Sequence, residues 1–373
     1  MHMRIYLDHN ATSPLRPAAR EVMLAHMDEP LNPSSVHGEG RAGRKVIEIA
    51  REQVAELVGG DPKAVTFTGG GTEANNTVLS PQVQFGSTKR TFDALLVSAV
   101  EHPCVLAGGR FSREALHLLP VDQKGVVDLA ALETTLKQHE APFVSVMFAN
   151  NETGVLQPID EIAGLVHAHD GFLHVDAVQA AGKVLIDIYE LDVDAMTLSA
   201  HKIGGPQGVG AIVRLSAGTG VPSLLSGGGQ ELGYRGGTEN VAGIAGFGAA
   251  AHEALSGMNG DQRLQEALES GLKALSNDII IFGDGAARLP NTTCFSLPDK
   301  RAETAVIFYD MAGIAISSGS ACSSGKVGAS HVLKAMGVDD ARAAGAIRVS
   351  TGWNTSEADI ASFLNATQKL LSA

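Results

Sequence analysis

The chain has 373 residues, too many for one small domain, so two domains are expected. Hydrophobic residues make up 44% and charged residues 18%, a balance that fits a well-buried enzyme and excludes a disordered or fibrous chain. With 28 basic and 41 acidic residues the net charge is −13, which argues against nucleic acid or an anionic membrane as the main partner.

No run approaches the roughly 20 apolar residues needed to cross a bilayer, and the opening MHMRIYLDHN contains no signal-peptide core. Cys104, Cys294 and Cys322 have neither metal-ligand spacing nor the even count of a disulfide framework. A cytoplasmic, reducing location without a metal centre is therefore expected.

In chain order, Arg4 to Leu7 reads as a short strand, and Ala18 to Met27 as a helix after two turn prolines. Leu31 to Gly40 reads as a polar loop. From Arg44 to Val58 the spacing predicts an amphipathic helix, with Val46, Ile49, Ala50, Val54, Leu57 and Val58 on one face. A strand is expected from Ala64 to Thr68, followed by Gly69-Gly70-Gly71-Thr72 opening another helix. Such a turn either satisfies a tight backbone or offers N–H groups and a helix dipole to a phosphate.

Apolar strands are then expected at Ala94 to Val100, Val144 to Phe148, Phe172 to Val175 and around Thr197, with helices at Leu129 to Gln138 and Ile159 to Ala168 between them. This alternation implies an α/β fold with a mostly parallel sheet covered by helices. Each strand ends in polar residues, and ligands of such sheets bind beyond the carboxyl ends of the strands. Thr72, His102, Asn151, Asp176, Gln179, Ser199, His201 and Lys202 should therefore converge on one crevice. Leu224 to Gly237 reads as a glycine-rich surface loop, and Thr238-Glu239-Asn240 starts a helix. Beyond it come strands near Thr292 to Leu297, Gly313 to Ile316 and Ala346 to Ser350, a helix at Ala302 to Met311, and a final helix capped by Ser356 and Asp359.

Lys202 follows a buried strand and precedes a glycine-rich turn. It is either a nucleophilic amine for a carbonyl or half of an ion pair. A lysine, an anion cradle and a strand-end carboxylate together match the needs of pyridoxal phosphate, with Asp176 keeping the ring nitrogen protonated. Asp176 could instead cap the next helix, and His102 could stack on a ring or simply be satisfied at a helix start. Arg348, inside an apolar strand, could grip a substrate carboxylate or pair with a structural one. Cys322, in a loop of small residues, could be a presented nucleophile or an inert filler, the reading that also suits Cys104 and Cys294. His167 and His169 read as a helix surface. Gly69-x-Gly71-x-x-Ala74 also matches a dinucleotide fingerprint, but the acid expected about 20 residues on is misplaced.

The ordered set YLDHNAT, NPSSVH, FTGGGTEANN, VEHPCVL, ANNETGVLQPI, HVDAVQAAGK, LSAHKIGGPQGVG, RGGTENVAGI, SSGSACSSGK and SHVLKAMG spans nearly the whole chain. It resembles the NifS/IscS-like cysteine desulfurases of the class V aminotransferase family, which are fold-type I pyridoxal phosphate enzymes. The resemblance implies a large domain over residues 15–254 and a small one built from 1–14 and 255–373, carrying the cysteine loop 317–328. It implies that Lys202 holds the cofactor and moves protons, that His102 packs on its ring, and that Asp176 meets its nitrogen. Gln179 and Asn151 would lie near its phenolic oxygen, while Gly71, Thr72, Ser199 and His201 would bind phosphate. Thr238 resembles the threonine that reaches the phosphate from the other subunit of a homodimer. Arg348 and Asn151 would hold the carboxylate of L-cysteine, and Cys322 would take its sulfur for an acceptor such as an Fe–S scaffold or sulfur carrier. The same apparatus could serve a selenocysteine lyase or an aminotransferase, or a sulfur-carrying interaction module with little turnover of its own. The chain ends soon after its last helix, sooner than the resemblance implies for housekeeping IscS proteins.

Overall fold

The computed structural model describes residues 4–258, 262–319 and 330–372. Its organising element is a seven-stranded sheet made of β1 (Val65–Thr68), β2 (Ala94–Ser98), β3 (Leu116–Leu119), β4 (Pro142–Met147), β5 (Phe172–Asp176), β6 (Ala195–Ser199) and β7 (Gly210–Arg214). The strand order is β1-β7-β6-β5-β4-β2-β3. Every pairing is parallel except those of β7, which runs antiparallel to both β6 and β1. The glycine-rich turn after Lys202 therefore returns the chain into the sheet, a strand that hydrophobic patterning alone did not reveal.

Side chains alternate across the sheet with the period of two that a strand imposes. Leu96, Val144, Val146, Leu173, Val175, Met196 and Leu198 enter the largest apolar core, on one face. Leu95, Val97, Phe143, Phe172 and Ala195 enter a second core on the other, under α3 (Gly71–Val78). The first face is covered partly by Val241–Ser256, capped by the Asn240 side chain accepting from the Gly243 N–H.

The helices α1 (Pro17–Met27) and α2 (Gly38–Glu56) pack against Val241–Ser256. The helix expected from Arg44 begins at Gly38, so the end of the polar loop is helical. Its buried face also differs: Gly40, Gly43, Ile47, Ala50 and Val54 are buried, whereas Ile49 is 46% exposed. Close approach explains this. A Cβ on Gly248 would lie 2.6 Å from the Ala50 Cα, so the contact runs through small residues.

A four-stranded antiparallel sheet is formed by Ile280–Ile281, Thr292–Ser296, Ala346–Ser350 and Ser317–Ser318, in that spatial order. Leu7 joins its apolar core with Phe295, Tyr309, Ile347 and Phe363. Ile5–Tyr6 pairs in parallel with Ile314–Ala315, and Asp8 bridges to Ser350. The N-terminal segment is thus held by the C-terminal part of the chain before it crosses to the large sheet. Ser356 and Asp359 cap the final helix as expected, each accepting from the other's backbone N–H.

The loop at 224–237 is not merely surface. Glu231 is buried, accepts from the Phe67 N–H at 2.9 Å, and forms a two-pronged pair with Arg51 at 2.8 and 2.9 Å. Among the described residues no helix is long and apolar enough to cross a membrane.

Candidate active site

Beyond the carboxyl ends of β2, β4, β5 and β6 lies a cavity of about 290 Å³. Gly71, Thr72, His102, Asn151, Asp176, Gln179, Ser199, His201, Lys202 and Arg348 all line it. Thr238 is exposed and is not among the lining residues, and Cys322 lies outside the described residues.

The start of α3 lines this cavity through Gly71, Thr72 and Asn75. Gly70 has φ +143, a conformation that side chains disfavour, and it turns the chain from β1 into the helix. A Cβ on Gly71 would come within 3.1 Å of Val178 and 3.3 Å of Ser199, so the absent side chain leaves the helix N–H groups open. Ser199 stands beside this terminus and His201 lines the same cavity, a set of groups that could hold an anion. Burial pushes the His201 imidazole down to about 4, so it is neutral there, and its Nδ1 lies 3.2 Å from the Thr12 hydroxyl.

Asp176 is buried at the tip of β5. Its Oδ1 accepts from the Val178 N–H at 3.0 Å and its Oδ2 from Asn75 Nδ2 at 2.7 Å. Burial pushes its carboxyl above the usual range, opposed by these two donors and by the charges of His102 and Lys202. His102 caps the short helix Pro103–Leu106. Its Nδ1 lies 3.0 Å from the Cys104 thiol and accepts from the Cys104 N–H at 3.3 Å. Burial lowers its pKa, and the neighbouring Asp176 carboxylate opposes that shift.

Lys202 ends the 3-10 turn after β6 and donates to the carbonyls of Asn10 at 2.6 Å and Ala11 at 2.9 Å. Asn10 escaped the sequence reading and is the hub of the site. Its carbonyl also accepts from Gln179 Nε2, its Oδ1 from Lys183, and its Nδ2 donates to the Asn151 carbonyl and Thr292. Lys183, also missed, donates to Gln179 Oε1 at 2.8 Å and thereby fixes which end of that amide is its nitrogen. Burial and the nearby Lys202 and Arg348 hold its amine well below the usual lysine range.

Arg348 is 1% exposed and already has a carboxylate: Nη2 meets Asp8 at 2.7 Å while Nη1 donates to the Asn151 carbonyl at 2.8 Å. Its Nε has no partner among the described residues. Asn75 and Cys104, which the sequence reading left aside, line the cavity too. Burial pushes the Cys104 thiol up to about 11, so it stays protonated and does not act as a thiolate. His167 bridges Asp192 at 2.9 Å and Asp194 at 3.0 Å, a structural clasp on the large sheet.

The class-V aminotransferase family model matches residues 5–363. The chain belongs to this family, in its NifS/IscS-like cysteine desulfurase branch. It is 42% identical to a cysteine desulfurase of Cereibacter sphaeroides, over 96% of this chain and 93% of that protein. It is 37% identical to cysteine desulfurase IscS of Dictyoglomus turgidum, over 100% of this chain and 95% of that protein. Its fold superposes on the X-ray structure of a NifS-like protein from Rickettsia africae with a TM-score of 0.89, at 36% identity, covering 99% and 100% of the two chains. The family depends on pyridoxal phosphate, and the cavity fits that group. A side-chain-free helix start suits its phosphate, Asp176 suits its ring nitrogen, and Lys202 lines the same cavity.

Proposed function

We propose that the chain is a pyridoxal-phosphate-dependent cysteine desulfurase that converts L-cysteine to L-alanine. The observation that carries this reading is the meeting of Lys202, Asp176 and the open N-terminus of α3 in one cavity of a chain matched end to end by named desulfurases. Bound pyridoxal phosphate would supply an electron sink for the substrate's α-carbon. Gly71, Thr72, Ser199 and His201 would hold its phosphate, Asp176 its ring nitrogen, and His102 would pack against it. Gln179 and Asn151 would serve its phenolic oxygen, and Thr238 would approach the phosphate across a homodimer.

Lys202 is the group that would move a proton at the α-carbon, and its Nζ donates to the carbonyls of Asn10 and Ala11. Arg348 and Asn151 would hold the substrate carboxylate, with Asp8 steadying the guanidinium. Cys322 would then attack the substrate sulfur, so that L-cysteine and the Cys322 thiol yield L-alanine and a Cys322 persulfide. An Fe–S scaffold or another protein carrier, serving clusters, thiolated tRNA or a thio-cofactor, would take the sulfur in the cytoplasm. Residues 15–254 would form the cofactor domain, and 1–14 with 255–373 the domain bearing the cysteine loop 317–328.

Two variants test this. Cys322→Ala should retain the lysine-bound cofactor's visible absorption yet release no alanine from L-cysteine. Lys202→Ala should lose that absorption and about 10²–10⁴-fold in turnover. Sustained alanine release by Cys322→Ala would remove the assigned nucleophile.

A further inference from the structure

Over its middle strands, the α3 face of the central sheet carries a row of buried polar side chains within an apolar core. Ser145 on β4, His174 on β5 and Thr197 on β6 all lie among Phe143, Phe172 and Ala195, and each is 0% exposed. Ser145 faces His174 across the strands, and Thr197 faces Asp176 one step closer to the cavity. From α3, Asn75 reaches over the row and is 1% exposed. Burying four polar side chains here is costly unless all their bonds are made.

The bonds are made in one continuous line. Ser145 Oγ lies 2.9 Å from His174 Nδ1, and His174 Nε2 lies 3.1 Å from Thr197 Oγ1. Thr197 Oγ1 donates to Asn75 Oδ1 at 2.5 Å, and Asn75 Nδ2 donates to Asp176 Oδ2 at 2.7 Å. Burial pushes the His174 imidazole down to about 3, so it carries a single N–H. The Thr197 proton is spent on Asn75, so Thr197 must accept from His174 Nε2–H. His174 Nδ1 is then a lone pair that accepts from the Ser145 hydroxyl. Each group donates to the next toward Asp176, and Asn75 Nδ2 donates also to the Cys104 sulfur at 3.4 Å. The opposite order is also closed, but it requires a flipped Asn75 amide, a proton on Asp176, and the proton of His174 on Nδ1.

We propose that Ser145, His174, Thr197 and Asn75 are positioning residues whose one-way hydrogen bonds hold Asp176 as an acceptor-only carboxylate for the ring nitrogen of pyridoxal phosphate. The proposal rests on the cofactor reading given above. His102, Lys202, Cys104 and Glu101 are the other titratable groups around Asp176, and the first two favour the same charged state. The His174 tautomer thus reports the charge of Asp176 from two residues back along the same strand.

The test uses holoenzyme with ¹⁵N-labelled histidine, His174 being assigned by a variant at that position, and pyridoxal phosphate labelled at its ring nitrogen. The wild type should show His174 as the Nε2–H tautomer and a protonated ring nitrogen. Thr197→Val should weaken cofactor binding about tenfold and shift the ring nitrogen toward its unprotonated form, and Thr197→Ser should restore both. A His174 Nδ1–H tautomer in the wild type would overturn the proposal, even if Thr197→Val failed to fold. So would an unchanged, protonated ring nitrogen in Thr197→Val. Absence of any pyridoxal phosphate binding would instead remove the cofactor reading, and this proposal with it.

Discussion

Single residues in this site are defined less by their type than by what their neighbours leave them free to do. Lys183 and Lys202 are two lysines of one cluster, yet Lys183 is committed to Gln179 and Asn10 through side-chain oxygens. Glu101 shows the same principle for an acid. It is fully buried behind the cavity, and its Oε1 accepts from the Ser98 hydroxyl at 2.6 Å and from the Met147 N–H, while Oε2 has no partner among the described residues. Burial pushes its carboxyl up to about 8 from an ordinary 4.5, so the folded protein holds a proton there that the unfolded chain has lost. Its contribution to stability is complete below about pH 4.5 and is lost as pH rises through about 8. Glu152, pushed up to about 7, acts in the same direction. Glu101→Gln should therefore flatten the fall in urea midpoint between about pH 5 and 8. An equally steep fall in the variant would mean that Glu101 is ionised in the fold.

At the scale of elements, the turn from β1 into α3 and the return strand β7 interlock through glycines. A Cβ on Gly210 would lie 2.6 Å from the Gly70 carbonyl carbon and 2.7 Å from the Leu198 oxygen, both backbone atoms that cannot swing away. Gly210→Ala should cost about 1–3 kcal/mol and weaken retention of pyridoxal phosphate, because the phosphate cradle must shift. Gly38→Ala, where a Cβ meets nothing within 4 Å, is the control and should melt like wild type. The sequence disclosed elements whose apolar period is strong, so Ile159–Ala168, Ala302–Met311 and Ala346–Ser350 lie where expected. It misled where glycine serves packing rather than turning. Gly40 sits inside α2 because a Cβ there would collide with the Ser35 carbonyl, and its presence made a helical stretch read as loop. The strand-end side chains of the cavity were legible because polar residues closing apolar runs stand out. Asn10, Asn75 and Lys183 were not, since their partners are brought to them only by long-range contacts.

The whole molecule is tied together by a few buried polar links between distant stretches. Asn10 connects the N-terminal segment to Lys202, Lys183, Asn151 and Thr292. Glu231 does the same for the 224–237 stretch, joining it to α2 through Arg51 and to β1 through the Phe67 N–H. Truncating it leaves the Phe67 N–H and the Nη2 of Arg51 without these bonds, while Glu48 and the Val65 carbonyl still hold the rest of the guanidinium. Glu231→Ala should cost about 1–3 kcal/mol, read as a lowered denaturant midpoint, and Arg51→Met combined with it should recover part of the loss. A variant as stable as the wild type would show that the loop is not held by this pair.

These links serve one claim, that the cavity at the strand ends works on L-cysteine. The direct measurement is the release of L-alanine by the purified, pyridoxal-phosphate-loaded protein given L-cysteine and a thiol reductant. Alanine and sulfide are expected in equal amounts. A protein that carries the cofactor on Lys202 and binds L-cysteine, yet yields pyruvate or no alanine at all, would contradict that claim.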